Sequence, residues 1–327
     1  MRQQLAWVPD VARGEWLRPM EEQPLGSILT LVPPGFEMYA RIFHPVERDR
    51  PRKTDTWIGV DQERAFDGVD DIDAALETQR VTWADTAASF GTIMHRTAQY
   101  PRLVRSDYEE SDGVVAPDGW RYSGPSEGCL DAETLTTVAA VLARHTTTPH
   151  SGVAAIWEGW GGLTSSDGLG YFSVSALDQR PWAACAQRML GSARGAIQGM
   201  LSRFPRRPAE PGTGLLSAEM ASGPRLELHG DTGRTYILFE AGAEDFAEEH
   251  WTERAPWIGG SMWSQSPSII WPDDHSWVLA TELDYDSTLI AGSTVLVQHL
   301  VRTPGLEVHA LHHDADLSWE GDSVNHR

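Results

Sequence analysis

The chain has 327 residues, 41% hydrophobic and 22% charged, which suffices for a large core and argues against wholesale disorder. A net charge of −21 argues against general binding to nucleic-acid backbones or anionic membranes, where affinity rests on Lys and Arg. Lys53 is the only lysine and sits in none of the motifs that pyridoxal-phosphate, Schiff-base and P-loop chemistry need, while Cys129 and Cys185 are too few for a four-thiolate zinc site or an iron–sulfur cluster.

In chain order, residues 1–10 lack an apolar run of signal-peptide length, and no stretch of about 18 uncharged apolar residues follows, so a cytoplasmic chain without a membrane span is expected. After a break at Pro33-Pro34-Gly35, residues 36–45 read as a strand ending at His44-Pro45. Residues 46–55, which carry Lys53, are charged and read as an exposed loop. Thr82 and Asp85 form a capping-box signature for a helix, and residues 106–128 have loop composition. Residues 131–145 predict a helix capped by Asp131, with Leu135, Val138 and Leu142 on one face. A strand over 153–158 and a glycine-rich loop over 159–170 follow.

Residues 182–204 form the longest helical pattern, with Gly191, Gly195 and Gly199 on one face, where close packing or a partner groove would exploit the missing side chains. Residues 205–214 are rich in Pro and Gly and read as a linker between lobes 1–204 and 215–327, which can also close into one domain. Beyond it, the pattern predicts strands near 225–229 and 235–240, a helix near 244–254, a strand at 276–283, a helix at 293–302 and a strand at 306–311. The alternation lacks a strict βαβ cadence, so the fold class is α+β: mixed sheets flanked by helices. Helix, Thr-Pro loop and strand occur at 131–157 and again at 293–311, which hints at two related lobes.

Chemistry is most concentrated in residues 272–288. A strand over 277–283 puts Glu282 on one face and gathers Asp284 and Asp286 at its end, with Asp273, Asp274 and His275 nearby only if the preceding turn folds back. Carboxylates crowded in a cleft share protons or hold a divalent cation, so Glu282, Asp284 and Asp286, assisted by His44 or His275, are the candidate acid–base residues. The bland alternative is a polar cap whose Asp side chains bond turn amides. Trp157, Glu158, Trp160 and Trp277 are candidate binding residues of an aromatic, acidic cleft. His309, His312, His313, Asp314 and Asp316 have metal-like density, but adjacent His312 and His313 in an extended segment would face opposite sides.

The Asp284-Tyr-Asp286-Ser-Thr288-Leu289 run is similar to the first motif of haloacid-dehalogenase-type phosphatases, which implies an Asp284 nucleophile, an Asp286 general acid and magnesium. Those enzymes place most of their fold and a lysine after this motif, and no lysine follows here, so the likeness reads as coincidence. The segments over 39–45, 156–162 and 271–288 resemble uncharacterised actinobacterial proteins, a resemblance that brings no activity. The expectation is therefore a cytoplasmic binding or accessory protein, with an unidentified small-molecule or protein partner and no cofactor. The alternative is a hydrolase or other acid–base enzyme centred on Asp284, with a divalent metal. A third reading is an acidic decoy for a nucleic-acid-binding partner.

Overall fold

Alternate side chains of the strand Met38–Phe43 enter different cores: Ala40 and Ile42 one, Tyr39 another. A computed structural model describes residues 4–24, 26–61, 66, 72–106, 113–165, 210–230, 233–259 and 265–326. The strands are β1 (Trp7–Val8), β2 (Met38–Phe43), β3 (Val46–Pro51), β4 (Leu76–Val81), β5 (Val114–Val115), β6 (Arg121–Tyr122) and β7 (Gly152–Trp157). They continue as β8 (Leu226–Leu228), β9 (Arg234–Glu240), β10 (Ile269–Pro272), β11 (Val278–Ala280), β12 (Ser287–Gly292) and β13 (Val308–Leu311). The α-helices among the described residues are α1 (Ile72–Ala75), α2 (Trp83–Phe90), α3 (Tyr100–Leu103), α4 (Ala132–Leu142), α5 (Ala218–Ser222), α6 (Ala243–Ala247) and α7 (Thr294–Val301).

The chain is α+β, with two separate sheets and helices against them. The larger sheet has the order β1-β9-β7-β10-β11-β12-β2-β13, with β8 also on β9, and each of its ladders is antiparallel. One face carries Ala40, Ile156, Phe239, Ile270, Leu279 and Ile290, and is covered by α4, α6 and α7. The other carries Tyr39, Val153, Leu238, Trp271 and Leu289, and is covered by Leu17, Met20 and Ile28 from the 3-10 helices Val11–Glu22 and Ile28–Thr30. With both faces buried, these strands read as near-continuous apolar runs, which is why β10 and β12 escape an alternation search.

The helices form where caps and apolar spacing coincide. Asp131 accepts from the Thr134 amide and α4 buries Leu135, Val138 and Leu142. Thr82 and Asp85 make both bonds of the capping box that opens α2. Ser293 caps α7, which buries Leu296, Val297 and Leu300. The helix expected over 244–254 is divided into α6 and a 3-10 turn, Trp251–Arg254.

The smaller sheet, in the order β4-β3-β6-β5, corrects the reading of residues 46–55 as an exposed loop. Central strand β3 keeps its charged residues because neighbours satisfy them. Asp49 and Arg121 form a buried pair at 2.9 Å, the Trp57 indole donates to Asp49, and Arg48 and Arg50 lie over the Trp120 ring. Only residues 52–55 of that stretch, Lys53 included, form the exposed turn. Within 106–128, expected as loop, β5 and β6 supply the other half of this sheet.

Strands from both sides of residues 205–214 interleave in the larger sheet, so that stretch does not separate two sheets. The helical pattern over 182–204, with Cys185, Gly191, Gly195 and Gly199, lies outside the described residues, as do 205–209 of the linker. Among the described residues, no helix is long and apolar enough to cross a membrane.

Candidate functional site

The carboxylates of residues 272–288 divide between the two ends of β11. At its start, the β10–β11 turn holds Asp273, Asp274 and His275. Asp274 accepts from the Thr147 amide (2.6 Å) and hydroxyl (2.7 Å), and Asp273 pairs with Arg13. His275 has φ 54°, donates its amide to the Pro272 carbonyl at 3.0 Å, and stacks on Trp16 with ring centroids 4.0 Å apart. Burial lowers the His275 pKa. This is a tied-down hairpin turn, and it does not fold back to Asp284.

At the other end, the turn joining β11 to β12 carries Glu282, Asp284 and Asp286. Gly128 (φ +69°) donates to the Tyr285 carbonyl, and a Cβ at that position would sit 2.6 Å from the Leu283 carbonyl oxygen, so glycine lets the 123–130 loop lie flat on the turn. Arg234 Nε donates to Glu282 at 2.8 Å, and its Nη2 lies 3.2 Å from Asp284, which is 78% exposed. Burial opposes the Arg234 charge, but the Glu282 bond and the two carboxylates outweigh it and raise the pKa. Asp286 belongs to a different cation: Arg41 Nη2 is 3.0 Å from its Oδ1. Arg41, 2% exposed, also donates to Ser287 Oγ and to the Ala98 carbonyl, each at 2.7 Å.

Glu282 and Asp284 therefore share one arginine and Asp286 faces another. The crevice beside Glu282, Arg234, Tyr236 and Ser268 has a volume of about 40 Å³. A water needs roughly 10–15 Å³ and a ligand pocket about 300 Å³ or more, so this crevice is well below the size of a ligand pocket. Asp284→Asn is expected to cost less than about 0.5 kcal/mol in a urea titration, because an exposed ion pair contributes little.

His44, which follows β2, is 1% exposed. Its Nδ1 lies 2.6 Å from the Ser126 carbonyl, which can only accept, so Nδ1 carries the proton and Nε2 accepts from the Thr288 hydroxyl at 2.9 Å. The Thr288 oxygen then accepts from Thr281 at 2.7 Å. Burial lowers the His44 pKa and keeps the ring neutral. A hydroxyl on a neutral imidazole has the outline of a nucleophile and its base, but Thr288 is fully buried, so the geometry serves packing rather than attack.

Trp157, Glu158 and Trp160 do cluster. Arg234 lies 5.1 Å from the Trp157 ring, Trp157 and Trp160 meet edge to face at 5.7 Å, and Glu158 is bound by Arg225 and Thr235, each at 3.0 Å. Trp277, in contrast, is wholly buried in the helix-covered core. His312 and His313 do not face opposite sides. The chain leaves β13 at Leu311 and turns, bringing their rings to 4.1 Å, with His312 bonded to Asp314. Among the described residues no three His, Cys, Asp or Glu side chains converge as metal ligands.

A larger opening lies where β2 begins and β13 ends. Leu29, Pro34, Phe36, Tyr39, Leu311 and His313 line a groove of about 310 Å³. The sequence signals for it were Pro33-Pro34-Gly35 and the His312-His313 pair, two breaks that only the β2–β13 ladder brings together. Comparisons with known protein families, curated proteins and solved structures find no match.

Proposed function

We propose that this is a non-catalytic binding protein whose ligand, a small, flat, largely apolar molecule with one hydrogen-bonding group, occupies the groove between residues 29–39 and 311–313. The observation that carries this reading is a contrast of size: about 310 Å³ at the groove against about 40 Å³ at the Glu282 crevice. The larger value falls at the lower end of small-molecule pockets. Tyr39 forms a buried floor, its hydroxyl donated to the Pro33 carbonyl. Phe36, Pro34 and Leu311 offer apolar contact, and the exposed His313 ring offers the polar one. Glu37, exposed at the edge of the groove, accepts the Thr294 amide at the start of α7.

Fragment screening by ¹H–¹⁵N NMR tests the proposal. Shifts confined to residues 29–39 and 311–313, weakened about tenfold or more by Phe36→Ala and by His313→Ala, are the expected result. Ligand responses that survive both substitutions but disappear in Glu282→Gln or Asp284→Asn would overturn it in favour of acid–base chemistry at the β11–β12 turn.

A further inference from the structure

Two helices end at one point on the helix-covered face of the larger sheet. After α4 the chain continues as the 3-10 turn Ala143–His145, and His145 closes it. His299 lies in the last turn of α7. His145 Nε2 and His299 Nδ1 are 3.0 Å apart, with ring centroids at 5.3 Å and planes inclined by 68°. Both residues are half-buried, so solvent and ions reach the contact.

From this we infer a metal-binding site: His145 Nε2 and His299 Nδ1 chelate one tetragonal divalent cation, of the Cu(II) or Ni(II) class, with water completing the coordination. The spacing lets one ion reach both nitrogens. With metal–nitrogen bonds of about 2.0–2.1 Å, nitrogens 3.0 Å apart subtend roughly 95° at the metal. Affinity for nitrogen ligands rises along the divalent series through Ni(II) to Cu(II), the ions that take tetragonal sites, which selects this class. Helix ends supply a second, independent reason. The carboxyl ends of two helices converge here, and each places partial negative charge where the cation would sit.

The proton balance is simple. In the metal-free pair one ring nitrogen donates its hydrogen to the other. Chelation moves that hydrogen to the second nitrogen of the same ring, a change of tautomer, while both rings turn their lone pairs outward to the ion. The chelate would tie α4 to α7, the two helices that lead into β7 and β13.

The test is calorimetric titration of the EDTA-treated full chain with copper(II) chloride and nickel(II) chloride. The expected result is one site per chain that is lost, with affinity falling at least tenfold, in both His145→Ala and His299→Ala, and is retained in the His312→Ala/His313→Ala double variant. No binding by the wild type, or equal binding by all variants, would overturn the inference. Should an alanine variant fail to fold, Cu(II) electron paramagnetic resonance on the wild type decides. Coupling to two imidazole nitrogens, still present in the His312→Ala/His313→Ala variant, supports the site; its absence rejects it.

Discussion

Arg41→Met is expected to lower the unfolding free energy by about 3–5 kcal/mol, measured as a fall in the urea midpoint at unchanged slope. Arg41 is 2% exposed and donates to Asp286, Ser287 Oγ and the Ala98 carbonyl. Its guanidinium also lies 4.6 Å from the Phe43 ring and 5.2 Å from Trp83. Methionine fills much of the volume and restores none of the donors, so the Asp286 carboxylate, 17% exposed, loses its buried counter-charge. Removing both members should cost less than removing the cation alone, because the double variant Arg41→Met/Asp286→Asn leaves no orphaned charge. A loss below about 1 kcal/mol for Arg41→Met would mean that Asp286 is not held by this pair and is free for chemistry, reopening the acid–base reading.

What the sequence made legible follows from how local each signal is. The capping box at Thr82 and Asp85, the Asp131 cap and the strand at β2 were readable because each is determined within a few residues. The identity of the sheet neighbours was not. β2 pairs with β12 and β13, more than two hundred residues away, and nothing in residues 38–43 names those partners. The same limit governed the site. Glu282, Asp284 and Asp286 look like a carboxylate cluster in one dimension, but their charges are answered by Arg234 and Arg41, which arrive from β9 and β2. Residues 46–55 were misread for the related reason that a strand in the middle of a sheet tolerates charge when cross-strand partners supply Asp49–Arg121 and the Trp120 ring. Trp277, attractive as a binding residue by type, is a core residue by position.

His44→Ala is expected to cost roughly 2–4 kcal/mol at pH 8, and the cost should shrink as the pH falls. Removal strands the Ser126 carbonyl and the Thr288 hydroxyl inside the core, at about 1–3 kcal/mol for each group left unpaired. The pH dependence has a fixed sign. Burial depresses the folded-state pKa of His44 below its unfolded value near 6.5, so the unfolded chain takes up the proton first. The neutral ring's contribution is complete above that value and declines by up to about 1.4 kcal/mol per pH unit as acidification carries the solution toward the lower folded pKa. His275 and His309 also titrate low, but they do so in both proteins, and the difference between wild type and variant isolates His44. A pH-independent difference would show that the His44 ring takes up its proton in the fold as readily as in the unfolded chain, and so is reached by solvent. In that case the hydroxyl of Thr288 would stand beside an accessible base, and the chain of bonds from Thr281 to Ser126 would have to be read as a working relay instead of a packed core element.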